Sequence, residues 1–130
     1  MSTINQTYFL QDIDPAAVYE AYMNSSKHSA FTGSDCEISN EIEGECFMYD
    51  GYILATNLEL VPSKLIAQSW VAMEDEWPEG HFSTISIELT PKEEGTLITF
   101  THSDVPDALN EALAKGWYEY YWEPLESYFG

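Results

Sequence analysis

The stretch WPEGHFST, residues 77–84, contains residue types from which a catalytic site can be built. His81 and Ser83 have the residue types of the base and the nucleophile in a Ser-His-Asp triad, in which the histidine takes the proton of the serine hydroxyl. Strand alternation places both side chains on the same face, however, and no Gly-x-Ser-x-Gly turn presents the serine to a substrate. Pro78 and Gly80 are typical of a turn. We therefore interpret the stretch as strand–turn–strand and predict that the protein is not an enzyme.

A metal centre is the second chemistry that the residue types allow. Neither the three histidines nor the two cysteines show a ligand spacing such as Cys-x-x-Cys or His-x-x-x-His. We predict that the protein holds no metal and no cofactor. Cys36 and Cys46 could face each other on consecutive predicted strands, but we expect both thiols to be reduced, as is usual in the cytosol.

The charge of the chain excludes two classes of partner. Four lysines, no arginine and 23 carboxylate side chains give a formal net charge of -19. No basic stripe is available for nucleic acid, and an anionic membrane surface would repel the chain. No apolar run approaches the ~20 residues that span a bilayer, and the N-terminus lacks the pattern of a signal peptide. We predict a cytoplasmic protein that binds neither nucleic acid nor membrane.

The length of 130 residues predicts a single domain, residues 1–130. Near its start, the period-two pattern of residues 4–11 predicts a strand. Asp14 is a capping residue and Pro15 suits the first helical position, so a helix begins there. A shorter helix over residues 27–31 is a further prediction.

From residue 35 onward the period of the apolar residues changes to two, with turn residues at regular intervals. Six strands follow from this pattern, so the sheet has about seven with the first strand included. Asp50 and Gly51 predict a hairpin with a two-residue turn. The side chains predicted to form the inner surface are Leu54, Thr56, Leu58, Leu60, Ile66, Gln68, Trp70, Ile85, Ile87, Leu89, Ile98, Phe100 and His102.

Residues 106–129 carry apolar side chains at helical spacing and predict one long amphipathic helix. Pro124 removes a backbone N–H, so we expect a bend or break near residues 122–124. An antiparallel sheet with one apolar face and one such helix available will wrap around that helix. The predicted fold class is α+β.

Two groups of residues on these elements predict binding. The stretch GWYEYYW, residues 116–122, has more aromatics than a sheet needs for cover, so Tyr118 and Trp122 are candidates for a partner surface or a homodimer contact. Gln68 and His102, together with Thr56, are polar residues on the inner face. They would either orient a ligand in a cavity or form an internal hydrogen-bond network.

Five blocks of the sequence, in order along nearly the whole chain, resemble a known family. The blocks are PAAVYEAYMNSSKHSAFTG, GECFMYDGYILATNLELVP, KLIAQSWVAMEDEWPEGHFSTISIELT, GTLITFTHSDVP and GWYEYYWEPLESYFG. They are similar to the START-like, helix-grip proteins of the SRPBCC superfamily, of the type found as the C-terminal domain of activators of the heat shock protein 90 ATPase. The resemblance implies a curved antiparallel sheet wrapped around a long C-terminal helix.

The same resemblance implies two functions. The first is that of a non-catalytic regulatory protein that binds heat shock protein 90 or another protein. The second is that of a carrier or sensor of a small hydrophobic ligand, held between the sheet and the last helix. The side chains that would line such a cavity are Leu58, Ile66, Gln68, Trp70, Ile87, Phe100, His102, Trp117 and Tyr121.

Overall fold

The computed structural model describes residues 1–130 and consists of strands and helices in a fixed order. The strands are β1 (Ser2–Gln11), β2 (Glu45–Met48), β3 (Ile53–Val61), β4 (Leu65–Ala72), β5 (Ser83–Lys92) and β6 (Gly95–Val105). The helices are α1 (Pro15–Met23), α2 (Ser25–Thr32), α3 (Asn110–Trp117) and α4 (Glu123–Phe129), with a π-helical segment, Tyr118–Trp122, between the last two. Short 3₁₀ turns are formed by Tyr49–Gly51 and Asp107–Leu109.

All strands belong to one antiparallel sheet with the order β1-β6-β5-β4-β3-β2. The fold is α+β and fits the helix-grip description, with six strands where the sequence predicts about seven. The predicted strand that would start at residue 35 is reduced to a single bridge between Glu37 and Phe47. This segment stays outside the ladder because the side chain of Asn57 binds the carbonyls of Ser39 and Glu41.

The inner face of the sheet follows the predicted alternation on three strands. Buried side chains alternate with more exposed ones along β4, β5 and β6, as the period-two pattern predicts. The predicted inner residues of these strands are buried: Ile66, Gln68, Trp70, Ile85, Ile87, Leu89, Ile98, Phe100 and His102.

On β3 the predicted inner face is wrong by one residue. Leu54 and Leu58 are exposed, and the buried residues are Ile53, Ala55 and Asn57. The prediction placed Leu54 and Leu58 of β3 on the inner face. In the structure these two leucines are on the outer face, and a hydrogen-bonded asparagine is on the inner face. A register shift between Asn57 and Glu59 then changes the alternation along the rest of the strand.

The predicted hairpin at Asp50 and Gly51 is present, but its turn is longer than two residues. Met48 pairs with Ile53, so four residues connect β2 to β3. Tyr49 joins Asp50 and Gly51 in having a positive φ. The longer turn brings the Tyr49 ring against the C-terminal helix, where it meets Tyr120 at a centroid distance of 5.8 Å.

The C-terminal helix is continuous where the sequence predicts a bend or break near residues 122–124. Trp122 and Glu123 both have right-handed helical backbone angles. Pro124 has no N–H to offer to the carbonyl of Tyr120, and the hydroxyl of Tyr49 donates to that carbonyl instead. The helix widens to π geometry over Tyr118–Trp122. None of the helices combines the length and the apolar character that crossing a membrane requires.

Candidate functional site: a cleft between the last helix and the sheet

A cleft of about 520 Å³ lies between the C-terminal helix and the β3–β4 side of the sheet. Its deepest side chains are Trp70, Trp117 and Tyr121, each at most 3% exposed. Tyr120, with 56% of its surface exposed, stands at the mouth. The remaining lining residues are Tyr49, Tyr52, Ile53, Glu74, Leu109, Ala112, Leu113, Lys115, Gly116 and Glu119. The cleft therefore has an apolar, aromatic floor and a mixed, partly charged rim.

The floor is assembled from two elements that are distant in sequence. Trp70 is on β4, opposite the small Ala55 of β3, and its ring lies 5.6 Å from that of Trp117. Trp117 ends α3, and its ring packs against Tyr121 at 4.8 Å. At the rim, burial and the nearby Glu74 carboxylate raise the pKa of Tyr52 to about 12, so this phenol stays neutral at physiological pH.

A chain of buried hydrogen bonds lies behind the cleft floor. The indole N–H of Trp117 donates to Nδ1 of His102 at 3.1 Å. Because an indole nitrogen can only donate, His102 must carry its proton on Nε2. That N–H donates to Oγ of Ser83 at 2.7 Å, and the serine hydroxyl donates to the carbonyl of Trp70 at 3.2 Å.

The contact between Ser83 and His102 has the distance of a nucleophile–base pair, but its chemistry is structural. Nε2 of His102 already holds its proton, so it cannot take the proton of Ser83. Both side chains are completely buried, and burial lowers the pKa of His102 to about 3. In the sequence, the histidine considered as a partner of Ser83 was His81. Its Nε2 lies 2.7 Å from the carbonyl of Asp104 instead. The partner of Ser83 was missed because β5 and β6 bring it from 19 residues away.

His28 uses the opposite tautomer to hold the C-terminal helix to the helices that follow β1. Its Nδ1–H donates to the carbonyl of Tyr22 at 2.8 Å, and its Nε2 accepts from the hydroxyl of Tyr121 at 3.2 Å. Burial lowers the pKa of His28 to about 4 and raises that of Tyr121 well above its ordinary value. Both groups are thus neutral parts of the core near neutral pH.

A second buried network connects two strands, α1 and the loop before β2. The hydroxyl of Tyr22 donates to Gln68 at 3.0 Å, and the amide of Gln68 donates to Oδ1 of Asn57 at 2.9 Å. Asn57 in turn donates to the carbonyls of Ser39 and Glu41. Gln68 is therefore part of an internal network, one of the two alternatives that the sequence left open.

Trp70 is the exception among the buried polar side chains, which otherwise have hydrogen-bond partners. Its indole nitrogen is the one buried side-chain nitrogen or oxygen without a hydrogen-bond partner. In native proteins nearly all buried polar groups are paired, since an unpaired donor loses its hydration without compensation. The unpaired N–H belongs to a residue of the cleft floor.

A second concavity lies on the outer face, at the β3–β4 end of the sheet. Three of its lining side chains, Leu54, Met73 and Phe82, are exposed by 36%, 52% and 60%. Glu74, Asp75 and Glu79 supply its charged groups, and the other lining residues are Val71, Ala72, Trp77, Pro78, Gly80 and His81. We call these residues the outer groove. It combines exposed apolar side chains with carboxylates and contains no lysine.

Comparison with known proteins decides the family. The sequence model of the family described as "Activator of Hsp90 ATPase homolog 1-like protein" matches residues 12–130. The chain belongs to this family. This match confirms the START-like resemblance that the sequence blocks predict.

Relatives and solved structures agree with the assignment to the Hsp90-activator family. The "Activator of 90 kDa heat shock protein ATPase homolog 1" of Mus musculus is 29% identical over 128 residues, which are 98% of this chain and 36% of that protein. The chain thus spans about a third of this relative. The crystal structure of an HSP90 activator from Plasmodium falciparum has a TM-score of 0.90 at 20% identity, and covers 100% of this chain and 97% of its own. The solution structure of the Aha1 dimer from Colwellia psychrerythraea has a TM-score of 0.77 at 19% identity, with 92% and 90% covered. At these identities the two structures establish the shared fold.

Within this family fold, the structure separates the predicted cavity residues into three groups. Trp70, Trp117 and Tyr121 lie together on the cleft floor. Leu58 was predicted wrongly, since its side chain is on the outer face and 49% exposed. The others are buried core side chains that do not border the cleft, because neighbouring side chains fill the space around them: Ile66, Gln68, Ile87, Phe100 and His102.

The predicted partner surface is also corrected. Trp122 is only 1% exposed, since its ring packs against Phe100 at 5.2 Å and its N–H donates to Gln6 at 2.9 Å. Tyr118 is half-buried, and its ring contacts that of Tyr8 at 6.1 Å. The π-helical segment rotates Trp122 into the core, so the aromatic surface that favoured a homodimer is smaller than predicted.

Several cleft residues were missed by the sequence interpretation. Tyr49 and Tyr52 flank the Asp50-Gly51 turn, and no local signal in the sequence places that turn against the C-terminal helix. Leu113 and Tyr120 follow the helical spacing of Trp117. Tyr120 is the ring of this stretch that is exposed, and it is the candidate for contact with a molecule entering the cleft.

The two cysteines are not paired with each other. Cys36 and Cys46 are free thiols, and burial raises the pKa of each. Cys46 is completely buried and lies 3.7 Å from Oδ1 of Asn57. The described residues contain no cluster of three or more histidine, cysteine, aspartate or glutamate side chains arranged around a possible metal position.

The two buried histidines predict a measurable pH behaviour. The folded protein takes up protons on His28 and His102 only near pH 4 and pH 3, whereas an unfolded histidine does so near 6.5. Their C2 proton resonances should therefore stay constant in an NMR titration from pH 7 to pH 5. Because the unfolded state binds more protons in this range, each histidine lowers the free energy of unfolding by roughly 2 kcal/mol at pH 5. A midpoint near 6.5 for either resonance would contradict the buried, neutral assignment.

Proposed function

We propose that the protein is a non-catalytic regulatory protein of the cytoplasm that binds heat shock protein 90. The observation that supports it is membership of the Hsp90-activator family over residues 12–130, nearly the whole chain. The absence of a free base beside Ser83 favours a regulatory role over a catalytic one. Because the chain spans 36% of the mouse relative, the activity of that whole protein does not transfer to it directly. We therefore propose stimulation of the ATPase as a separate property to be tested.

The outer groove is the surface that we propose for this contact. Exposed apolar side chains next to one another are uncommon on a protein that has no partner there. The rim carries three carboxylates and no cation, within a chain of net charge -19. A complementary partner segment would present apolar side chains flanked by lysine or arginine. Attraction between the two charges would raise the association rate, and salt would reduce it.

The binding is tested by an amide-shift NMR titration with the heat shock protein 90 of the same source organism, at moderate salt to suppress nonspecific contacts. We expect shifts that cluster around Met73 and Phe82. A parallel assay should show that the chain changes the ATPase rate. An unchanged spectrum at saturating chaperone concentration would overturn the proposed function.

A surface substitution tests the outer groove itself. Phe82→Ser removes the most exposed large side chain of the groove, and we expect the dissociation constant to rise about 10-fold, the size expected for one exposed aromatic contact. Phe9→Ser is the matched control, because Phe9 is 42% exposed on β1 at the opposite edge of the sheet. Calorimetric titration of both variants measures the difference. Equal affinities of the two variants would show that the chaperone binds elsewhere.

The cleft favours a second candidate function, the carrier or sensor of a small hydrophobic ligand. Its volume of about 520 Å³ lies in the range of small-molecule sites, and its floor consists of the aromatic residues Trp70, Trp117 and Tyr121. Binding of a ligand there would also bear on regulation, since Glu74 borders both the cleft and the outer groove.

A further inference from the structure

The unpaired indole N–H of Trp70 is the observation that carries this inference. Trp70 is 2% exposed, and its nitrogen is buried without a partner. Every other buried side-chain nitrogen and oxygen finds a partner. An orphan donor of this kind can be satisfied by an acceptor that belongs to another molecule.

The polar groups around Trp70 are already committed to other partners. The ring nearest to it is that of His102, at 4.7 Å. One nitrogen of that ring accepts from Trp117 and the other contacts Ser83. The hydroxyl of Tyr121, on the same cleft floor, is engaged with His28. None of these groups accepts a hydrogen bond from the N–H of Trp70.

The surroundings of Trp70 limit the shape of a molecule that could supply the acceptor. The rings of Tyr49, Trp117, Tyr120 and Tyr121 form much of the lining of the cleft. Aromatic walls favour a flat, apolar body that can stack on them. The volume of about 520 Å³ accommodates a molecule of a few fused rings.

The charges at the rim limit the charge of that molecule. Glu74 and Glu119 are the carboxylates of the lining, and its one cation, Lys115, lies 3.5 Å from Glu119. A carboxylate or phosphate on the ligand would meet repulsion without a free cation to offset it. A neutral acceptor such as a carbonyl oxygen avoids this cost.

We propose that the cleft binds a flat, uncharged, apolar molecule with one carbonyl-type acceptor, which receives the hydrogen bond of the Trp70 indole N–H. This proposal rests on the second candidate function and names the chemical class of its ligand. The indole nitrogen is covered by its neighbours, so binding includes a small shift of a lining side chain. The half-exposed Tyr120 at the mouth is the ring that contacts the solvent side of the bound molecule.

Two probes of the same shape test the proposal: 2-acetylnaphthalene and 2-isopropenylnaphthalene, which differ in carrying a carbonyl oxygen or a methylene group. We expect the ketone to bind at least about 10-fold more tightly, because only the ketone pairs the orphan donor. In ¹H–¹⁵N spectra the indole signal of Trp70 should move downfield with the ketone. The four tryptophan indole signals are assigned from single Trp→Phe variants.

The variants complete the test. Trp70→Phe keeps an aromatic ring but removes the N–H, so it should bind both probes with the weaker affinity of the alkene. Trp77→Phe is the matched control, because the N–H of Trp77 is already bonded to the carbonyl of His81 and the residue is outside the cleft lining. This control should retain the preference for the ketone.

The outcomes separate this proposal from the function on which it rests. Equal binding of the two probes to the natural protein, or a ketone preference that survives in Trp70→Phe, overturns the role of the Trp70 N–H and leaves a carrier function standing. Failure of both probes to bind at their solubility limits overturns the proposal and counts against the carrier function as well. The chaperone titration is unaffected by either result.

Discussion

Trp122→Ala is expected to lower the free energy of unfolding by about 4 kcal/mol, the range found for large aromatic side chains truncated in a core. The ring of Trp122 is almost fully buried and packs on Phe100 and Trp117, at 5.2 and 5.7 Å. Its loss would leave a cavity between the helix and the sheet. It would also leave Oε1 of Gln6 without its donor, although the amide of Gln6 would keep its bond to the carbonyl of Ala114.

Chemical denaturation monitored by far-ultraviolet circular dichroism measures this effect. Tyr120→Ala is the matched control two residues earlier, where the side chain is 56% exposed, and it should change stability by less than about 1 kcal/mol. If Trp122→Ala does not fold, Trp122→Phe keeps most of the ring and removes the N–H, and should cost about 1–2 kcal/mol. Equal stability of the Trp122 and Tyr120 alanine variants would contradict the buried position of Trp122.

Asn57→Ala is expected to cost about 3 kcal/mol, because it leaves several buried partners unpaired at once. The carbonyls of Ser39 and Glu41 would each lose the donor that holds their loop against β3. The amide of Gln68 would lose its oxygen acceptor in the centre of the sheet. We expect the segment around Ser39 and Glu41 to loosen first, which hydrogen exchange would detect as faster amide exchange there.

The neighbouring residue provides the control for this prediction. Thr56 is adjacent on the same strand but half-buried on the other face, so Thr56→Ala should change stability by about 0.5 kcal/mol or less. The two variants are compared by urea denaturation under the same conditions. A loss of less than about 1 kcal/mol for Asn57→Ala would show that the network contributes little to stability.

The elements with strong local signals were predictable. The Asp14-Pro15 start of α1, the alternation of β4 to β6 and the helical spacing after residue 106 each depend on residues close together in the chain. The inner face of β3 was not predictable in this way. Both of its faces contain apolar residues, and burial of Asn57 becomes favourable only once Gln68 and the loop carbonyls are present to pair with it.

The candidate site was predictable only in part. Trp70, Trp117 and Tyr121 were among the residues predicted to line a cavity, and they do lie together on the cleft floor. Their tyrosine neighbours from the β2–β3 turn were missed. The position of that turn over the helix depends on the Tyr49 hydroxyl finding the carbonyl that Pro124 leaves free, a contact across 71 residues of chain.

The sequence by itself determined the order of the elements, the family to which the chain belongs and the excess of carboxylates over cationic side chains. These properties depend on composition and on patterns within short segments. Only the tertiary structure decided that Trp122 is buried, that Ser83 is bound to an already protonated nitrogen of His102, and that the Trp70 N–H lacks a partner. The physical reason is that pairing and burial depend on groups far apart in sequence, which only the packing of the sheet against the last helix brings together.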